Sequence, residues 1–236
     1  MKEGIAVDGW LFFAVAALLA VGITMVLSTS YLYSQERFSD GTYFFRKQFT
    51  AVGVGTVALF IAALLPAASY RRFAYPLLAL TLLILLLVLI PGIGLSRGGA
   101  RRWLPLGSFA FQPAELAKIS LVLYLAHSLA KKGEKVQTFA MGVLPHLIIG
   151  GLFLGPILLE PDLGTALILG LILFLMLFVG GAKFSHLVSI GLMALPVLAL
   201  AVVGAEYRLR RLLTFLDPWR DASNTGFQII QSYIAF

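Results

Sequence analysis

Seven apolar runs, each close to the ~20 residues that a helix needs to cross a bilayer, follow one another with only short polar gaps between them. They are Trp10 to Thr29, Phe49 to Pro66, Phe73 to Pro91, Pro113 to Leu129, Phe139 to Leu159, Leu163 to Gly181 and Phe184 to Val203. Hydrophobic residues fill 60% of the 236 positions, charged residues fill 12%, and mean hydropathy is +0.94. One aqueous core cannot hide that much apolar surface, whereas lipid solvates it from outside. The sequence therefore predicts an all-α polytopic membrane protein with seven transmembrane helices. The first run lacks the small-residue cleavage site that ends a secretory signal, so it reads as a retained helix.

The chain has no cysteine, which removes disulfides and thiolate chemistry. His127, His146 and His186 lie in separate segments and read as packed or interfacial residues rather than as a three-ligand metal site. The net charge of +7 is carried by the gaps between apolar runs, so its counterpart is anionic lipid headgroups and not nucleic acid. If the N-terminus is cytoplasmic, the inner gaps hold seven basic residues and the outer gaps ten. Charge alone thus favours the opposite orientation.

Several gaps carry more than topology. Ser96 to Trp103 combines Gly98 and Gly99 with Arg97, Arg101 and Arg102 beside an interfacial tryptophan. This is a loop able to adapt, with guanidinium groups suited to phosphate. Glu115 and Lys118, three apart at the start of the fourth run, share a helical face, which predicts an ion pair turned towards the bundle or a hydrated cavity. Glu160-Pro161-Asp162 joins the fifth and sixth runs in a tight antiparallel pair and places Asp162 to cap the following helix. Two neighbouring acids are too few to define a magnesium site. From Glu206 to Asp221, basic, aromatic and apolar residues are interleaved, the pattern of an amphipathic element on a membrane surface.

Three strings carry a family resemblance. They are Arg101-Arg102-Trp103-Leu104 with Phe111-Gln112-Pro113-Ala114-Glu115-Leu116-Ala117-Lys118; Glu160-Pro161-Asp162-Leu163-Gly164-Thr165-Ala166; and Asp217-Pro218-Trp219 with Gly226-Phe227-Gln228-Ile229-Ile230-Gln231-Ser232. In this order they resemble the shape, elongation, division and sporulation (SEDS) proteins over essentially the whole chain. Tyr43 to Gln48 and Trp219 resemble the cell-division branch.

The resemblance implies a ten-helix membrane fold with a cytoplasmic N-terminus, overriding the charge count, in the bacterial cytoplasmic (inner) membrane and at the division septum. Residues 1–236 would form a single SEDS-type transmembrane domain lacking its last three helices. The implied activity is a peptidoglycan glycosyltransferase that polymerises lipid II, the undecaprenyl-pyrophosphate-linked precursor. Its implied partners are a class B penicillin-binding protein and other division-complex membrane proteins. A carboxylate takes the acceptor hydroxyl's proton, and cationic side chains or a divalent cation stabilise the leaving pyrophosphate. The family's catalytic aspartate follows the motif ending at Gln231-Ser232, so it is expected beyond Phe236, and the chain by itself is expected to be inactive. Glu115, Lys118, Arg101, Arg102 and Asp162 are the candidates here for lining the cavity and handling substrate. A lipid II flippase and a non-catalytic scaffold of the division complex are the alternative functions.

Overall fold

The computed structural model describes residues 8–97, 100–107 and 109–235. They fall into two compact units, Met1–Tyr70 and Arg71–Phe236.

The first unit is a helical hairpin. Helix α1 (Gly9–Phe38) opens on Asp8, whose carboxylate accepts the N–H groups of Trp10 at 3.0 Å and Leu11 at 3.2 Å. It closes on Ser39 in the left-handed conformation. Asp40 then accepts the Thr42 N–H and hydroxyl and pairs with Arg46, fixing the turn into α2 (Tyr43–Leu64). Both helices leave large apolar side chains exposed around their circumference, among them Trp10, Leu18, Leu32, Phe49 and Leu64. That is the surface of a helix bathed in lipid.

The second unit takes in most of α3 (Ala67–Leu89), then a small antiparallel meander, β1 (Leu95–Arg97), β2 (Ala100–Leu106) and β3 (Phe109–Phe111), in the order β1-β2-β3. Leu95 pairs with Trp103 and Ser96 with Arg101, while Leu104 pairs with Phe111. Gly107, at a φ of 59°, begins the tight turn between β2 and β3. A short stretch of sheet therefore stands where the sequence predicts only a loop, and Gly98 and Gly99 lie outside the described residues. The helices that follow are α4 (Pro113–Lys132), α5 (Leu144–Leu159), α6 (Leu163–Val179), α7 (Phe184–Val203), α8 (Glu206–Leu216) and α9 (Phe227–Ala235).

Helices α1 to α7 coincide with the seven apolar runs. Among the described residues, five helical segments are long and apolar enough to cross a membrane: α1, α2, α3, α7, and α5 with its preceding π turn Phe139–Val143. Helix α6 is apolar but shorter, and α4 carries charges at both ends. The chain is a multi-pass membrane protein.

The core of the second unit is built around α4. Ala114, Ala117, Leu121, Tyr124, Leu125 and Leu129 are buried at helical spacing and meet Leu78 and Leu85 of α3, Phe153 and Ile157 of α5, and Leu169 and Leu173 of α6. Since lipid is as apolar as leucine, such helices are held by close packing and by polar contacts between them. His146 on α5 supplies one polar contact. Its Nδ1 lies against the Gly142 carbonyl, which can only accept, so Nε2 accepts from the Ser128 hydroxyl on α4 at 2.9 Å. Gly142 is needed at the entry to α5 because a Cβ there would collide with the Val136 backbone. Gly142→Ala is expected to cost about 1–3 kcal/mol, read as a lowered unfolding midpoint in detergent.

A candidate anion-binding cavity

The turn between α5 and α6 organises a cavity of about 490 Å³. Asp162 caps α6, accepting the Thr165 N–H at 3.1 Å through Oδ1 and the Thr165 hydroxyl at 3.0 Å through Oδ2. The same Oδ2 receives the Gln112 amide from the foot of α4 at 3.3 Å and the Arg102 guanidinium from β2 at 3.2 Å. One carboxylate thus ties the sheet, α4 and α6 together.

Helix α8 forms the opposite wall. The Tyr207 hydroxyl donates to the Pro161 carbonyl at 3.0 Å. Arg208 donates from Nε to the Tyr207 hydroxyl and from a terminal nitrogen to the Ala201 carbonyl, both at 2.8 Å. The guanidinium of Arg211 lies 5.9 Å from the centre of the Tyr207 ring, at the outer edge of cation–π reach, an attraction that uses none of its N–H donors. Arg102, Asp162, Tyr207, Arg208 and Arg211 all line the cavity, as does Gly164 in the first turn of α6.

The electrostatics favour an anion. Burial by itself would raise the Asp162 pKa, but the hydrogen bonds from Thr165 and the Arg102 charge more than offset this and hold it below the usual aspartate value. Asp162 is therefore ionised and balances one guanidinium, while Arg208 and Arg211, which also line the cavity, have no ion-pair partner among the described residues. The positive end of the α6 dipole adds to them. Among the described residues, no three His, Cys, Asp or Glu side chains are grouped to hold a metal ion.

Of the residues proposed from sequence, Arg102 and Asp162 are brought together. Arg101, next to Arg102 on β2, is exposed and projects from the other face of the strand. Glu115 and Lys118 form their predicted ion pair at 2.8 Å, with Glu115 exposed and Lys118 half-buried, and neither lines this cavity. Tyr207, Arg208 and Arg211 are the residues that sequence reasoning left on a membrane surface. Their signal was the spacing: positions 207, 208 and 211 share one face of a helix, while Arg210 is engaged with Glu206 at 2.9 Å.

The family model for FtsW/RodA/SpoVE cell cycle proteins matches residues 9–236. The probable peptidoglycan glycosyltransferase FtsW of Geobacter sulfurreducens is 43% identical over 222 residues, covering 93% of this chain and 59% of that protein. A chain of a peptidoglycan synthase complex, solved to explain the structural coordination of polymerization and crosslinking, superposes with a TM-score of 0.76 at 35% identity, over 98% of this chain and 66% of that one. The crystal structure of the rod shape determining protein RodA of Thermus thermophilus gives a TM-score of 0.64 at 34% identity, over 82% of this chain and 60% of that one. The chain spans about three fifths of the length of the curated relatives it matches. With the three sequence strings in place, the fold shared at these identities and the family match running along nearly the whole chain, this protein belongs to the FtsW/RodA/SpoVE (SEDS) family of cell cycle proteins, on the side of its FtsW, cell-division branch.

Proposed function

We propose that this chain supplies the diphosphate-binding side of a peptidoglycan glycosyltransferase that polymerises lipid II into glycan strands during septal wall synthesis and cell division. The observation that carries this reading is the gathering of Arg102, Arg208 and Arg211 at the N-terminus of α6 around a single ionised carboxylate. In the reaction, the 4-hydroxyl of an acceptor sugar gives its proton to a general-base carboxylate and attacks the anomeric carbon of a donor lipid. The bond to the prenyl pyrophosphate breaks, and the electron pair leaves with the diphosphate. Guanidinium groups already held in place by Asp162 and Tyr207 meet that charge without reorganising. The cavity's residues thus serve the leaving group rather than the nucleophile.

In this reading residues 1–236 belong to one transmembrane domain in the bacterial cytoplasmic membrane, with the N-terminus inside and the cavity opening outwards at the septum. A class B penicillin-binding protein and other division-complex membrane proteins are its partners. The relative found in a peptidoglycan synthase complex supports the first of these.

Gel-resolved polymerisation of fluorescent lipid II tests the activity, comparing the chain with a form extended to the length of its curated relatives, each with the penicillin-binding protein. Glycan ladders from the extended form are expected. Lipid II carried across vesicles with no ladder would replace polymerisation by transport. Binding of the partner alone, indifferent to lipid II, would leave a scaffold. We also assign Glu115 and Lys118 to substrate handling. Glu115→Ala and Lys118→Ala are each expected to lower the polymerisation rate about tenfold, the effect of ~1.4 kcal/mol at the barrier, and full activity in both would remove the pair from the site.

A further inference from the structure

The cluster behind the cavity holds two polar groups that anion binding leaves unused. Glu160 is 1% exposed, and neither of its carboxyl oxygens has a hydrogen-bond partner among the described residues. Arg102 presents the complementary deficit: its Nε is buried without a partner among the described residues, although one of its terminal nitrogens reaches Asp162. A carboxylate sealed from water and left without a hydrogen bond is costly. Burial first, and then the neighbouring Asp162 charge, push the Glu160 pKa up to about 8, with Arg102 opposing them. At neutral pH the turn therefore carries one proton and one negative charge on its two acids, and the guanidinium stays with Asp162.

We propose that Glu160 is a positioning residue for the anion seat: as a neutral acid it leaves Arg102 on Asp162 facing the cavity, and as a carboxylate it takes the vacant Nε–H and draws the guanidinium away from the ligand. The inference rests on the reading of the cavity as a diphosphate site. The charged groups that act on Glu160 are Asp162 at the head of α6 and Arg102 from β2; Tyr207, Arg208 and Arg211 of α8 line the cavity beside Pro161. Helix α4 contributes the uncharged Gln112 to Asp162.

The sign follows from linkage. An anion placed in the cavity disfavours a second negative charge on the turn and raises the Glu160 pKa further, so binding above about pH 8 must take up a proton and weakens as pH rises. Each unit by which the ligand raises that pKa lowers affinity about tenfold on the alkaline side.

The test is isothermal titration of the chain, in nanodiscs of neutral phosphatidylcholine, with farnesyl diphosphate across the neutral and alkaline range. Wild type and Glu160→Gln are expected to bind alike near neutrality. On the alkaline side of Glu160's titration, wild type is expected to lose about tenfold in affinity while Glu160→Gln holds its value. Infrared difference spectra should show a protonated-carboxyl stretch that disappears over the same range in wild type and is missing from Glu160→Gln, a readout that a purely structural role would not move. Parallel pH profiles for the two proteins, or a carboxyl band that does not titrate, would overturn the role of Glu160 while leaving the anion seat intact. Failure of wild type to bind farnesyl diphosphate at any pH would overturn the anion seat itself, and this inference with it.

Discussion

Asp162→Ala is expected to lower the stability of the folded chain by about 2–3 kcal/mol, measured as reversible unfolding in mixed micelles. Roughly 1 kcal/mol belongs to the helix cap, because the side chain satisfies the Thr165 N–H at the start of α6. The remainder comes from leaving Arg102 without its carboxylate. It falls short of the fully buried case because the Arg102 side chain is 31% exposed. Asp162→Asn keeps an acceptor for the cap and gives up the charge, so it should lie between wild type and alanine. The alanine variant also frees Glu160 to ionise and recapture Arg102. Adding Glu160→Gln should therefore cost more than the sum of the two single changes, a coupling that a double-mutant cycle reads directly.

Removing both guanidinium groups of α8, Arg208→Ala with Arg211→Ala, is expected to raise the Kd for farnesyl diphosphate about 100-fold. That corresponds to about 1.4 kcal/mol for each charge-assisted contact, near the lower end of what such contacts contribute. Arg211→Ala alone is the cleaner single change, because Arg208 also ties Tyr207 and the Ala201 carbonyl. Lysine at position 211 should recover only part of the affinity, since it restores the charge without the planar fork. In the polymerisation assay the double variant should need more lipid II for half-maximal rate. An unchanged requirement, with α8 still folded by circular dichroism, would take the cavity out of substrate binding.

The helices were legible because their period and length are written in apolar residues, and the seven runs predicted from sequence each became a helix. The meander between α3 and α4 was not. Leu95 to Phe111 is short, rich in arginine and glycine, and interrupted by Pro105, which argues against a central strand. The structure accommodates that proline because β1 pairs only with the first part of β2, through Trp103, so Pro105 has β3 alone as a neighbour. Asp162 could be placed from its position behind Pro161. Choosing Arg102 over Arg101 required the strand, where adjacent residues face opposite ways. The α8 residues of the cavity needed a tertiary fact: Tyr207 meets a carbonyl 46 residues earlier in the chain, and no local pattern encodes that contact.

That long-range clasp also orders events during synthesis. Chains fold from the N-terminus as they are made. Gln112 reaches the membrane well before Asp162, which lies 50 residues further on, and the far wall arrives only when Tyr207 has followed Pro161. A nascent chain arrested after α6 would own the hairpin and the ion pair yet have no pocket, and its arginine and acid would still face headgroups and water. Diphosphate capture by ribosome-bound intermediates of increasing length should therefore switch on abruptly once α8 has cleared the insertion machinery, making ligand binding a clock for the completion of the cavity.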